Sequence, residues 1–206
     1  MAIVEYKKDY KDLYLPQAVP AVVEVPPMTF AMVDGKGAPQ GEDYHEAISL
    51  LYSVSYTIKM KEKNLPDYFE YRVFPLEGLW WIEDGVIDFR KREPWCWTSL
   101  MWQPGFVTSD VFSEAIEIAQ KKKPELDFSK VRLERFDEGL CVQMMHVGSY
   151  ADEPSTLDTM KDFIKRNGFV NMTGIERKHH EIYLSDPNKT APERLRTVLR
   201  LPVARK

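Results

Sequence analysis

Cysteine is scarce in this chain of 206 residues: Cys96 and Cys141 are the only two, 45 positions apart, and no CxxC occurs. A disulfide framework and a zinc knuckle are thereby excluded, and two reduced, buried thiols are expected. Long apolar runs are also lacking. None approaches the roughly 18 residues that a membrane span needs, and the opening MAIVEYKKDYKDLY has no signal-peptide core, so a soluble cytoplasmic protein without membrane contact is expected. Basic excess is missing too. Lys and Arg total 28 against 32 Asp and Glu, for a formal charge of −4, which leaves no electrostatic footprint for direct nucleic-acid binding.

The common catalytic signatures are absent as well. His45-Glu46 opens no HExxH, because the fourth residue after His45 is Ser49; His179 and His180 would point to opposite faces of a strand, so no metal site is expected. The glycine-rich turn Gly35–Gly41 has neither a GKS/T ending nor GxGxxG spacing, and Gly148-Ser149 lies in no GxSxG elbow. No cofactor is implied. The sequence carries no signal of oligomeric state.

What is present is a hydrophobic content of 44%, enough for one large domain or two small modules packed as a unit. Residues 1–21 read as an N-terminal arm packing on a body that spans 22–206. Met28–Asp34 reads as a buried strand, and the apolar spacing from Glu42 to Lys59 as a helix that Asn64 and Pro66 end. Phe69–Phe74, Leu79–Ile82 and Trp95–Trp102 read as strands, and Ser109–Lys123 as a linking helix stopped by Pro124. Val131–Phe136 and Leu140–Val147 read as a hairpin turning at Asp137-Glu138-Gly139.

A third helix begins near Ser155 and closes at Gly168, with strands at Val170–Glu176 and His180–Leu184 after it. Thr190 and Glu193 fit a capping box for a C-terminal helix over about 190–200 that covers a sheet edge. The expected fold class is therefore α+β: two strand-helix-strand-strand modules, at about 22–102 and 131–184, joined by the helix at 109–123. A duplicated sheet of this kind leaves a groove at its pseudo-two-fold.

The stretch His179-His180-Glu181-Ile182-Tyr183-Leu184-Ser185-Asp186 sets one carboxylate inside an otherwise aromatic and aliphatic strand. The two-residue period puts His179, Glu181 and Tyr183 on one face and His180, Ile182 and Leu184 on the other. Five tryptophans (Trp80, Trp81, Trp95, Trp97 and Trp102) fall within 23 residues. Aromatic residues in strands usually form core, but flat aromatic walls also bind planar or cationic organic molecules, at about 0.5–2 kcal/mol per contact. For Glu181 the alternative is an acid satisfied by Arg177, Lys178 or a backbone amide; for His146 it is an imidazole hydrogen-bonded within the sheet.

The segments HHEIYLSDP at 179–187 and TAPERLRTVLRLPV after it resemble GyrI-like small-molecule-binding proteins. So do the His146-Val147-Gly148-Ser149-Tyr150 loop and PLEGLWW at 75–81, and together these are similar to the stand-alone branch of the family. The resemblance implies a GyrI-like fold with a central ligand cleft in which an acid on a late strand, here Glu181, meets the ligand. It further implies one of three roles: a drug-sensing domain, a gyrase-inhibiting interaction protein, or a hydrolase of cyclopropane-containing DNA-alkylating toxins that protects the cell.

On the hydrolase reading, Glu181 acts as general base toward water, and Tyr150 or Tyr71 donates a hydrogen bond to the carbonyl oxygen on which charge develops. Trp80, Trp81, Trp97 and Trp102, with His146, His179 and Tyr183, would line the ligand site. The expected partner is a small hydrophobic, aromatic or cationic molecule. The alternative is a non-catalytic binder that sequesters or senses lipophilic cations.

Overall fold

Apolar residues at Tyr44, Ala47, Leu51, Val54 and Ile58 recur at alternating steps of three and four, and this stripe, buried along its length, defines the longest helix, α3 (Glu42–Lys61). The computed structural model describes residues 3–61, 65–83, 95–174 and 176–206; Asn64, expected to stop this helix, lies outside them. Ahead of α3 come two single-turn helices, α1 (Tyr6–Asp9) and α2 (Lys11–Tyr14), and the strands β1 (Ala21–Val25) and β2 (Met28–Lys36). After it follow β3 (Glu77–Trp81), β4 (Cys96–Trp102) and α4 (Ser109–Lys122), whose N-cap Thr108 accepts a hydrogen bond from the Val111 amide. The second half comprises β5 (Arg132–Phe136), β6 (Gly139–Val147), α5 (Glu153–Arg166), β7 (Phe169–Asn171), β8 (His179–Tyr183) and β9 (Arg196–Arg205).

The strands form one antiparallel sheet in the order β1-β6-β9-β8-β3-β4-β2-β5, with β7 added to the end of β9. Read from its two ends this order is palindromic. β1 matches β5, β2 matches β6, α3 matches α5, β3 matches β8 and β4 matches β9. The halves meet where β3 runs against β8, pairing Trp80 with His179 and Gly78 with Glu181. Each half lends its first strand to the other: β1 pairs with β6, and β5 pairs with β2.

Three sequence-based expectations change here. The 190–200 segment is not a helix: a short 3-10 turn at Pro192–Arg194 leads into β9, an interior strand between β6 and β8 rather than an edge cover. Thr197, Leu199, Leu201 and Val203 alternate with Val198 and Arg200, and nearly all are buried, so pairing on both sides overrides the capping pattern. The 131–147 hairpin does not form either. Gly139, at φ 64, turns the chain so that β5 and β6 leave for opposite halves of the sheet. Finally, Phe69–Phe74 is not a ladder strand; it meets the arm through an isolated bridge between Val4 and Tyr71.

The sheet has two differently covered faces. On one lie α3 and α5, α5 packing Leu157, Met160 and Ile164 against Val142, Leu199 and Leu201. On the other lies the N-terminal arm, whose Tyr6, Tyr10 and Tyr14 pack with Phe74, which stacks on Trp102 at 4.1 Å between ring centres.

The arm face encloses a charged cluster. Arg200 donates to Glu138 (2.9 Å) and Gln143 (3.0 Å), His180 Nδ1 sits 2.9 Å from Glu138, and Tyr14 donates to Glu77 (2.7 Å). His180 Nε2 lies 2.9 Å from Glu77 Oε2, an ion-pair contact bent away from straight hydrogen-bond geometry. Arg200 also donates to the Leu13 carbonyl and Gln143 to that of Asp12, so the cluster ties the arm down.

Candidate functional site

Strand alternation delivers Glu181 to the helix-covered face at the junction of the two halves, where the sheet is flanked by α3 and α5. Its side chain is only 5% exposed. Glu181 Oε1 lies 3.1 Å from His179 Nε2, and Oε2 accepts a 2.8 Å hydrogen bond from the Tyr183 hydroxyl. That hydroxyl accepts in turn from Trp80 Nε1 at 2.9 Å. Two β8 neighbours thus hold the carboxylate from either side, and Trp80 of β3 holds the Tyr183 hydroxyl in place. Burial, followed by the charge of Glu181, pushes the Tyr183 hydroxyl well above its ordinary pKa, so it stays a donor.

The space for this arrangement comes from Gly78. A Cβ at that position would sit 2.7 Å from Trp80 Nε1 and 2.9 Å from the Tyr183 hydroxyl. Gly35 does the same for Trp97, whose six-membered ring lies where a side chain would otherwise stand. From α3, Tyr44 closes the aromatic wall, 5.5 Å from Trp80 and 5.1 Å edge-on to Trp97 between ring centres. Its hydroxyl reaches toward Tyr183 and Ser99, and burial raises its pKa.

The opposite wall is the turn into α5. Tyr150, 40% exposed, meets Tyr183 edge-on at 6.2 Å and stands at the solvent side of this cluster; burial pushes its hydroxyl up to about 12. Glu153 opens α5 and is 5% exposed, with Oε1 fully buried and without a hydrogen-bond partner. Burial, reinforced by the charge of Glu181, holds its carboxyl well above the usual carboxylate range. Asp186, just beyond β8, acts electrostatically on both Tyr150 and Tyr52 of α3.

Of the residues expected from sequence, Glu181, His179, Tyr183, Trp80, Trp97 and Tyr150 come together in this cleft. Tyr71, Trp81 and Trp102 do not. Trp81 pairs with Cys96 on the arm face, with Lys178 Nζ 3.8 Å over its ring. Trp102 is arm-face core, and Tyr71 packs edge-on to it and to Phe106 under Lys59, so Tyr71 cannot serve Glu181 as a hydrogen-bond donor. His146 has both nitrogens occupied, Nδ1 by Thr156 (2.9 Å) and Nε2 by the Ser149 carbonyl (3.0 Å). It holds the Tyr150 turn onto α5 rather than lining the cleft.

Sequence reasoning passed over Tyr44 and Glu153. Tyr44 read as one apolar member of a helical stripe. Glu153 had a sharper signal: with the helix begun two residues earlier than Ser155, it stands at i, with Leu157, Met160 and Ile164 at i+4, i+7 and i+11, an acid on the buried stripe.

A surface depression of about 300 Å³ lies between α3 and the end of α4, lined by Tyr52, Tyr56, Ala119, Lys122 and Lys123 among others. It contains none of the groups around Glu181. Among the described residues, no group of three or more His, Cys, Asp or Glu is placed to hold a metal, and no helix is long and apolar enough to cross a membrane.

Comparison with known proteins agrees with this architecture. The profile of the GyrI-like small molecule binding domain matches residues 105–204, from the start of α4 through β9. An uncharacterised conserved protein from Listeria innocua is 50% identical, with a TM-score of 0.92 over 98% of this chain and 100% of its own. A hydrolase from Listeria innocua is 48% identical, with a TM-score of 0.89 over the same shares. The C-terminal domain of EcmrR shares the fold alone, at 11% identity and a TM-score of 0.56 over 94% of this chain and 99% of that one. None of the curated proteins matches the sequence. Whole-length relatives at about half identity and a duplicated sheet with an acid at its central seam lead to one assignment: the chain belongs to the GyrI-like small-molecule-binding family.

Proposed function

We propose that this protein binds flat hydrophobic, aromatic or cationic molecules in the Glu181 cleft and hydrolyses cyclopropane-containing electrophiles there, which protects the cell from alkylation. The observation that carries the reading is a buried carboxylate, oriented by His179 and Tyr183, beneath the walls of Tyr44, Trp80 and Trp97. A cyclopropane conjugated to a carbonyl is strained, and its opening needs an aligned water and a donor for the oxygen that gains charge. Glu181 accepts the proton of that water. Tyr150, at the solvent side and still protonated at neutral pH, donates to the oxygen. The description of a 48% identical Listeria innocua relative as a hydrolase supports a catalytic use of the same fold.

The test is incubation with a cyclopropane fused to a conjugated ketone, followed by mass spectrometry. The expected product is the water adduct, formed by the wild-type protein and lost in Glu181→Gln. If the wild-type protein yields no adduct, or if Glu181→Gln is fully active, the hydrolytic reading fails.

A second reading is favoured by the acidic character of the aromatic cleft, with Glu181 and Glu153 inside and Asp186 nearby. Here the protein sequesters lipophilic cations without turning them over. Tryptophan fluorescence titration with cationic and neutral dyes separates the two: the sequestering protein loses cation affinity in Glu181→Gln and returns every ligand unchanged.

A further inference from the structure

We propose that Glu153 holds a proton at neutral pH in the ligand-free protein, and that it is the proton donor of the ring-opening step. The second clause rests on the hydrolytic reading above; the first does not.

The geometry is that of two enclosed acids with His179 beside Glu181 and, among the described residues, no Lys or Arg acting on Glu153. Glu153 comes from the first turn of α5 and Glu181 from β8, and both are 5% exposed. The groups that face Glu153 are Glu181 and Tyr183 from β8 and Tyr150 from the preceding turn, with His179 and Tyr44 beyond Glu181. Among the described residues no Lys or Arg acts on Glu153; Glu181 is the charge that does. Two ionised carboxylates in such a place repel each other and each loses its hydration, so one must keep a proton.

The hydrogen bonds decide which one. Both oxygens of Glu181 are engaged, Oε2 by the Tyr183 donor, as suits an acceptor-only carboxylate. Glu153 Oε1 is buried with no donor aimed at it. Left ionised, it would keep a buried Oε1 with no donor to stabilise its charge, whereas a neutral carboxyl can present its own O–H from that buried side. The N-terminal turn of α5 favours the ionised form, but that effect is worth less than about tenfold in the equilibrium. Enclosure beside a second carboxylate outweighs it.

This division of labour completes the chemistry. Water gives one proton to the Glu181 carboxylate as its oxygen bonds to the cyclopropane carbon. The bond from that carbon to the ring breaks, and its electron pair moves through the conjugated system to the carbonyl oxygen. The Glu153 carboxyl protonates that oxygen, so one water is added in total and nothing else is consumed. Glu181 ends protonated and Glu153 ionised; as the product leaves, Glu181 gives its proton up to water and Glu153 takes one from water, which restores the starting state.

Two measurements on the full chain test the proposal. Infrared spectroscopy of the ligand-free protein at pH 7 is expected to show the carbonyl stretch of one buried protonated carboxyl that persists in Glu181→Gln and vanishes in Glu153→Gln. Absence of the band in the wild-type protein, or its survival in Glu153→Gln, overturns the protonated Glu153 whether or not the protein is a hydrolase. Thermal unfolding accompanies the measurement, and Glu153→Gln, which exchanges a neutral carboxyl for a neutral amide of the same shape, is expected to be about as stable as wild type.

With the cyclopropyl ketone, the water-adduct rate of Glu153→Gln should fall on the order of 100-fold or more, with substrate affinity by tryptophan fluorescence changed little. The fall in rate with rising pH, as Glu153 ionises, should disappear in that variant. A Glu153→Gln protein with the wild-type rate and an intact alkaline limb overturns the donor role. No adduct from the wild-type protein beside a positive infrared result removes the hydrolytic clause alone.

Discussion

Gly78 stands directly across the β3–β8 seam from Glu181, and the site depends on its missing side chain. Adding one methyl would press on both partners of the Trp80–Tyr183 hydrogen bond, at 2.7 and 2.9 Å. Gly78→Ala is therefore expected to cost about 1–3 kcal/mol, read from the denaturation midpoint, and to weaken tryptophan-detected ligand binding by turning the Tyr183 hydroxyl away from Glu181. Unchanged binding in a folded Gly78→Ala protein would show that Tyr183 does not orient the acid. Tyr150→Phe probes the other wall. It deletes a donor at the solvent side of the site without opening a cavity, so the adduct rate should drop on the order of 100-fold while the melting temperature stays close to wild type. At this scale the sequence was informative about Glu181, because a lone carboxylate on an aromatic strand has an address set by alternation. It misled about Trp81 and Trp102, since indoles on neighbouring strand positions look alike until the register assigns Trp81 and Trp102 to the face opposite Trp80 and Trp97.

At the scale of elements, the loop from Val147 into α5 owes its position to His146. With Nε2 3.0 Å from the Ser149 carbonyl and Nδ1 2.9 Å from the Thr156 hydroxyl, the imidazole is a clamp between strand, turn and helix. His146→Ala should cost about 1–3 kcal/mol by leaving two buried polar groups unpaired, and it should lower ligand affinity although no cleft group is removed. Hydrogen exchange is expected to rise at residues 148–153 and not in β8. Exchange spread evenly over the sheet would instead mark His146 as an ordinary core residue. The same loop shows why α5 was only partly legible. Ser155 and Asp158 imitate a capping box, yet the helix begins at Glu153 with Pro154 in its first turn, and that shift of two residues turns Glu153 from a loop acid into a cleft acid. The 190–200 segment failed for a related reason: local capping chemistry was present, but two long strands waited on either side of β9.

At the scale of the whole molecule, β8 is the element that joins two functions, presenting Glu181 to the cleft and His180 to the cluster that holds the arm. The duplication was visible in the order of elements, but the exchange of first strands between halves was not, because nothing local in β5 or β6 names its partner. The arm-side cluster gives this architecture a pH signature. Burial alone would lower the His180 pKa, but Glu138 and Glu77 outweigh it and raise it from 6.5 to about 9. Burial would likewise raise Glu138, yet His180 and Arg200 hold it down from 4.5 to about 2. A histidine raised on folding contributes stability that is complete below pH 6.5 and lost as pH climbs through about 9; a glutamate lowered on folding contributes stability complete above pH 4.5 and lost toward pH 2. Their joint contribution is therefore greatest between pH 4.5 and 6.5 and declines on the alkaline side through His180. In His180→Gln the melting temperature should be lower at pH 6, by an amount matching about 3–5 kcal/mol for a broken buried pair, and should lose its slope between pH 7 and 9. The arm reports the same event: its anchor runs from Tyr14 to Glu77 and from Arg200 to Leu13, so limited proteolysis within residues 3–15 should speed up in step with the loss. An alkaline slope that survives intact in His180→Gln would assign it to another group and separate the arm from the histidine.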